Sequence, residues 1–326
     1  MNNLRDIATV FLADEVDFAE LYQAIDDFRV CLLDLTQLGL DDDSLRNDVH
    51  LSEGLAIGTE WAVRCVDDIL RTKRFVKGLA EAIDYQLNQG LKPIELLYAG
   101  SGPFATLALP LLFRYSPEEL QLTLVEINEV SFKTVRRVFE GDDFRPYLRA
   151  LYQADATTLQ LNDPERYDIL LSETMQYALQ KEPQVAITLN LLPQLREDAL
   201  LIPAEISLHL AAIEYGSTGT VKSRALAELL VISRKALSGH PPLLQDGATQ
   251  FPMIEHQLVD EDIANAHKLG ISTTIKIFGT QSLGLNESGL TIPKAVFNTD
   301  SLPVGRKMIS AQYHLGAVPG MILTVT

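Results

Sequence analysis

Cysteine is nearly absent: Cys31 and Cys65 are the only two among 326 residues, which argues against a disulfide framework or a thiolate metal site. The six histidines, His50, His209, His240, His256, His267 and His314, show no close ligand-like spacing, so no metal is expected. Basic charge is also scarce. Against 27 Lys and Arg stand 44 Asp and Glu, and a formal net charge of −17 argues against a nucleic-acid partner, whose phosphates need a local cationic excess. That acidity is compatible with a cationic substrate, and equally with plain solubility. No apolar run approaches the roughly eighteen residues a membrane span needs. The start, Met1-Asn2-Asn3-Leu4-Arg5-Asp6, lacks the basic and apolar segments of a signal peptide, so a cytoplasmic protein with no membrane partner is expected. Low-complexity tracts and internal repeats are missing too. The 47% of hydrophobic residues and the length suit two domains, or one large domain with an appendage.

The texture changes twice along the chain. Residues 1 to about 90 read as a helical prefix whose face packs on the next domain or on another subunit. Apolar groups at Phe18, Leu21, Tyr22, Ile25 and Phe28 have helical spacing, and Asp41-Asp42-Asp43 reads as a solvated turn or helix start. Further helices are predicted from about Gly58 to Phe75 and from about Phe75 to Gln89, ending before Gly90 and Pro93. From 91 to 203, strands alternate with helices. Strands are expected at 94–99, 122–126, 149–155, 167–172 and 199–203, with helices from Pro103 to about Phe113 and after a cap at Asn128. Such alternation predicts an α/β fold with a largely parallel sheet and a ligand site at the carboxyl ends of its strands. From 204 to 326 a long strand at 205–213, a helix at 225–237, and strands at 272–279, 289–296, 308–313 and 321–325 predict an appended antiparallel β, barrel-like unit.

Three features on successive strands point to one ligand. Gly100-Ser101-Gly102 at a strand-to-helix turn lets backbone approach a ligand closely, and a helix N-terminus there favours a negative group such as a carboxylate. Glu126 ends the next strand, 24 residues after Gly102, where it can accept two hydrogen bonds from a ribose diol. Asp155 ends the third, where it can accept from an adenine amino group, or serve only as a turn residue. The set fits an adenosine ligand. A P-loop would need Gly-Lys-Ser/Thr, and the dinucleotide fingerprint a third glycine where Phe104 or Ala105 stands. S-adenosylmethionine, having no phosphates, tolerates the shorter turn.

The stretch from Ser172 to Glu182 follows the apolar run 167–171 and carries two carboxylates, Glu173 and Glu182, nine residues apart. It is either a solvated loop or a fold-back that aims both into one pocket. Close like charges repel unless a cation is expected. A planar guanidinium, with its forked N–H donors, is the cation best matched to two carboxylates.

Together Leu96-Leu97-Tyr98-Ala99-Gly100-Ser101-Gly102, Glu126, Asp155 and Ser172-Glu173-Thr174-Met175 resemble the class I S-adenosylmethionine-dependent methyltransferases, in particular the protein arginine methyltransferase branch. That branch carries a double-glutamate loop, Ser-Glu-Trp-Met-Gly-Tyr followed by a second Glu. Ser172, Glu173, Met175, Tyr177 and Glu182 stand at the matching places. Its Asp-x-x-Arg-Thr-x-x-Tyr helix resembles Asp68-Ile69-Leu70-Arg71-Thr72-Lys73-Arg74-Phe75.

The resemblance implies a Rossmann-like cofactor domain followed by a β-barrel, and a homodimer. It also implies S-adenosylmethionine held by Arg71, Gly100, Ser101, Gly102, Glu126, Asp155 and Glu173. Glu173 and Glu182 would be catalytic and would bind the acceptor; Tyr177 and Met175 would line its pocket, or else pack in the core. The chain departs from the pattern at Tyr98 (usually acidic), Phe104 (usually the third glycine), Thr174 (usually Trp) and in lacking a Thr-His-Trp segment. These departures shift the expected acceptor from protein-bound arginine to a small guanidino compound, free L-arginine first. The alternatives are methylation of a peptide or protein arginine, of another natural-product scaffold on N or O, or a non-catalytic binding protein on the same fold.

Overall fold

The computed structural model describes residues 3–39, 43–216, 220–239, 243–245, 248–303 and 307–326. Asp41, Asp42 and His240 lie outside them; Asp43 opens a single 3-10 turn to Arg46. The prefix begins with α1 (Leu4–Leu12), capped by Asn3, and α2 (Phe18–Thr36), capped by Asp17. Leu21, Ile25 and Phe28 of α2 are buried, and Phe28 meets Phe11 edge-on at 5.3 Å. Phe18 and Tyr22, predicted on the same apolar face, are instead 62% and 60% exposed.

The prefix is not wholly helical. Strands β1 (Val49–Leu51) and β2 (Gly54–Ala56) form an antiparallel hairpin. The helices that follow also divide differently from the expected junction at Phe75. Helix α3 (Thr59–Arg64) ends in a 3-10 turn, Cys65–Asp67, and α4 runs unbroken over Ile69–Asn88. Asp68 sets that start by accepting the Arg71 backbone N–H, and Phe75 lies fully buried in the middle of α4.

The parallel sheet comprises β3 (Ile94–Ala99), β4 (Leu120–Val125), β5 (Leu148–Tyr152), β6 (Ile169–Ser172) and β7 (Leu200–Ile202), in the order β5-β4-β3-β6-β7. Every residue of β3, β4 and β6 is buried, which is why they read as continuous apolar runs. Alternate side chains serve opposite faces. Leu97, Ala99, Val125 and Leu170 join Ile187 and Leu191 of α6 (Gln184–Leu191), whereas Leu96, Leu122, Leu124 and Leu171 join α4 and α5 (Glu129–Val138). Asn128 caps α5 as predicted, accepting from Val130 and Ser131.

The helix expected from Pro103 to Phe113 is not there. Ala105 sits at φ +49, and Pro110 has no N–H to give, so the chain makes a series of turns and then a 3-10 segment, Leu109–Phe113.

The remaining strands form two five-stranded antiparallel sheets. One is ordered β14-β13-β8-β9, with β15 also on β13: β8 (Glu205–Tyr215), β9 (Val221–Ser233), β13 (Lys268–Phe278), β14 (Gln281–Leu283) and β15 (Lys294–Asn298). The other is ordered β10-β11-β16-β12, with β17 also on β16: β10 (Leu243–Gln245), β11 (Ala248–Gln250), β12 (Ile254–Leu258), β16 (Lys307–His314) and β17 (Gly320–Val325). Both sheets contribute to the hydrophobic core that includes α4.

Two predictions in this region are corrected. Residues 225–237, expected as a helix, are mostly β9, which pairs with β8 from Glu205↔Ser233 to Tyr215↔Val221. Register shifts at Leu208/His209 and Leu210/Ala211 interrupt the two-residue alternation that would have marked it as a strand. The strand expected at 289–296 begins later, at Lys294, because Gly289–Thr291 is a 3-10 turn capped by Ser288. The fold is thus α/β: a Rossmann-like parallel sheet with flanking helices, an N-terminal helical prefix interrupted by a hairpin, and a C-terminal antiparallel, barrel-like part.

Candidate functional site

A cavity of about 540 Å³ opens at the carboxyl ends of β3, β4 and β6. Sequence order reverses between β3 and β6, and in open parallel sheets ligands bind at such a switch point. All ten residues singled out from sequence, Arg71, Gly100, Ser101, Gly102, Glu126, Asp155, Glu173, Met175, Tyr177 and Glu182, line this one cavity.

The glycine turn acts through shape. Gly100, at φ +75, leaves no room for a side chain: a Cβ would lie 2.2 Å from Cγ2 of Thr174. The Gly100 and Ser101 N–H groups donate to the Val125 carbonyl, and that of Gly102 to Glu126 Oε2 at 2.8 Å. These three donors are engaged within the protein, and no helix starts at Pro103, so the expected helix N-terminus for a carboxylate is absent.

Glu126 follows β4 directly, and its Oε1 accepts the Asn128 N–H at 2.8 Å. Burial pushes its carboxyl up to about 7, against the pull of the N–H groups of Asn128, Gly102 and Ile127. Each oxygen keeps lone-pair capacity for further donors. Asp155 lies three residues past β5, where Oδ1 accepts from the backbone N–H (2.8 Å) and hydroxyl (2.7 Å) of Thr157. It is therefore both a turn residue and part of the cavity wall.

The double-glutamate loop is a fold-back. Ala178, Leu179 and Lys181 all have left-handed backbones, at φ 57, 50 and 66, a conformation that costs a non-glycine residue roughly 1–2 kcal/mol. Distant elements hold them. Ala178 N–H donates to Thr273 Oγ1 of β13 at 3.0 Å, and Tyr313 Oη of β16 donates to the Leu179 carbonyl at 2.7 Å. Lys181 N–H donates to the Pro319 carbonyl, and the Leu55 N–H of β2 donates to the Lys181 carbonyl at 2.9 Å. Gly54, at φ +121, permits that last contact, since a Cβ there would lie 2.7 Å from the same carbonyl.

The loop aims both carboxylates inward. Glu173 Oε2 pairs with Arg71 Nη2, while Glu173 Oε1 is buried with no hydrogen-bond partner among the described residues. Burial pushes Glu173 up to about 7, opposed by Arg71. Glu182 is pushed up to about 8, by burial first and by the charge of Glu173 second. Burial works against the charge of Arg71, and Glu173, with Cys65 beside it, outweighs that burial and keeps Arg71 cationic. One fixed cation thus faces two carboxylates, an arrangement that suits a second, incoming cation.

Sequence reasoning assigned no role to several residues of the cavity wall. Tyr98 lies beneath the site with its hydroxyl accepting the Leu107 N–H, and burial keeps its phenol protonated. Cys65 lies against Arg71, and burial pushes its thiol up. Asp48, Leu51 and Leu55 come from the hairpin region, whose available signal was the Ser52-Glu53-Gly54 turn between short apolar segments. Leu290 comes from the 288–291 turn, tied to the start of α4 where Asp68 Oδ2 accepts from Ser288 Oγ (2.6 Å) and Gly289 N–H (2.8 Å).

No protein-family profile and no curated protein matches the chain. Among solved structures it is similar to the Trypanosoma brucei PRMT1 enzyme–prozyme heterotetrameric complex with AdoHcy. The identity is 13% over 77% of this chain and 86% of that one, at a TM-score of 0.44. Among the described residues, no helix is long and apolar enough to cross a membrane, and no group of three or more His, Cys, Asp and Glu could hold a metal ion.

Two measurements follow from this geometry. Tyr313→Phe leaves the Leu179 carbonyl without its buried donor and should lower stability to denaturant by about 1–3 kcal/mol; an unchanged midpoint would mean that the hydroxyl does not hold the loop. For Glu182, the folded carboxyl lies above its ordinary value of 4.5, at about 8, so the native state binds more protons than the unfolded state between those values. Stability tied to this group is fully present below about pH 4.5 and is lost as pH rises through about 8. Melting curves of Glu182→Gln should therefore gain on the parent protein from pH 6 to pH 9, and parallel curves would contradict a buried, raised Glu182.

Proposed function

We propose that the protein is an S-adenosylmethionine-dependent N-methyltransferase whose acceptor is a guanidino nitrogen of a small molecule, free L-arginine first. The observation that carries this reading is the unpartnered oxygen of buried Glu173, in one cavity with Glu182 and with the glycine turn. A buried carboxylate oxygen without a donor costs free energy until a ligand supplies one. A guanidinium supplies several in one plane.

The residues fit the cofactor. Arg71 would meet its methionyl carboxylate, Gly100 leaves space for close approach, the remaining lone pairs of Glu126 would take the ribose hydroxyls, and Asp155 would take the adenine amino group. When bound, S-adenosylmethionine would supply an electrophilic methyl group on a sulfonium. Glu173 and Glu182 would orient the guanidinium and draw its positive charge toward the nitrogens they hold, leaving the remaining nitrogen richer in electrons. One of the two carboxylates would take up the proton released from that nitrogen. Met175, which is buried, and Tyr177, which is 37% exposed, would form the pocket wall beside them.

The test is transfer of labelled methyl from S-adenosylmethionine to L-arginine beside an arginine-containing peptide, with mass spectrometry to locate the methyl. Methylarginine should form from the free amino acid, and Glu173→Gln should lower turnover by about 100-fold or more. Full activity in that variant would refute the clamp, and transfer to the peptide alone would move the acceptor to proteins. Because the carboxylates must be ionised to hold a cation, kcat/KM should climb as pH rises through about 7 to 8. A profile flat over that range would contradict the assignment of these two groups.

A further inference from the structure

Two opposite charges at the cavity wall have no part in the clamp. Asp48 precedes β1, is exposed, and lines the same cavity as Glu173 and Glu182. Its Oδ1 accepts the Gly58 N–H at 2.8 Å, and no described residue donates to its other oxygen. Lys181, next to Glu182 in sequence, is also exposed and lines the cavity. Its backbone is clamped by Pro319 and Leu55, yet its ammonium pairs with no described residue, Asp48 included. Other lysines in this acidic chain do find partners: Lys77 meets Asp14, Lys133 meets Glu129 and Lys276 meets Glu205. The Leu55 to Lys181 hydrogen bond ties the hairpin that follows Asp48 to the loop that carries Lys181, so the backbones bearing the two charges are braced against each other.

We infer that Asp48 and Lys181 receive the ammonium and the carboxylate of a free α-amino acid end, while the buried, unpartnered oxygen of Glu173 and its neighbour Glu182 hold the guanidinium. The inference rests on the proposed guanidino acceptor and narrows it. Peptide-bound arginine has neither charge at its α-carbon, agmatine lacks the carboxylate, and Nα-acetyl-L-arginine lacks the ammonium. Exposure limits each end contact to a modest gain, but a charged hydrogen bond lost from either end still weakens binding about tenfold.

The experiment is calorimetric binding of L-arginine, agmatine and Nα-acetyl-L-arginine to the full chain in the presence of S-adenosylhomocysteine. L-arginine should bind about tenfold tighter than either analogue. Asp48→Asn keeps an acceptor for the Gly58 N–H and should weaken L-arginine and agmatine while sparing Nα-acetyl-L-arginine. Lys181→Gln should weaken L-arginine and Nα-acetyl-L-arginine while sparing agmatine. A merely structural role would weaken all three alike, and that result overturns the inference. Equal affinity of the three for the parent protein also overturns it and leaves the guanidino reading standing, whereas failure of all three to bind overturns both.

Discussion

Two carboxylates buried in one cavity must be neutralised, and the rest of the site is arranged around that requirement. At an effective dielectric of 20, like charges about 4 Å apart repel by roughly 4 kcal/mol, a large part of a domain's net stability. Arg71 answers one of them. Burial first, and for Glu182 the charge of Glu173 second, pushes Glu173 up to about 7 and Glu182 up to about 8, so that protons answer the remaining charge. A cationic ligand would displace those protons, so binding favours the ionised carboxylates whereas folding favours the protonated ones. The same logic explains why α4 starts where it does: Asp68 fixes its first turn and anchors it to the 288–291 turn, which sets Arg71 opposite Glu173.

How much of this was legible in the sequence depended on whether the determinant was local. Strands β3, β4 and β6 could be read because both their faces are buried. The cap at Asn128 and the turn at Gly100 carry their own signals. The ten candidate residues converged because each ends a strand of one parallel sheet, follows such a strand in a loop, or lies on the helix that crosses above it. The failures had different causes. Strand β9 is rich in helix formers and is held extended by β8 along its whole length. The Pro103–Phe113 segment carried its counter-signal in Pro110, which outweighs the favourable Pro103. The hairpin at 49–56 has strands of three residues each, too short to show any period.

The double-glutamate loop illustrates the gap between a motif and a site. Its residue types can be matched in sequence, but its shape comes from elsewhere. Three left-handed residues without glycine would relax in an isolated peptide. Here Thr273, Tyr313, Pro319 and Leu55, from four separate segments, each take one hydrogen bond to it. The barrel-like part and the hairpin thus set the direction of carboxylates that belong, in sequence, to the parallel sheet.

Tyr98 shows how a departure from a motif can be consistent with the charge balance. It lies beneath the site, within electrostatic reach of Glu173, Arg71 and Glu126, at a place where the resembled pattern has an acid. An acid there would add a further buried negative charge to a cavity already lined by the buried carboxylates of Glu126, Glu173 and Glu182, and would compete with Glu173 for Arg71. A buried phenol is neutral, and the Leu107 N–H satisfies its oxygen. Arg71 therefore keeps its pairing with Glu173 through Nη2, and the other Glu173 oxygen stays buried without a donor among the described residues.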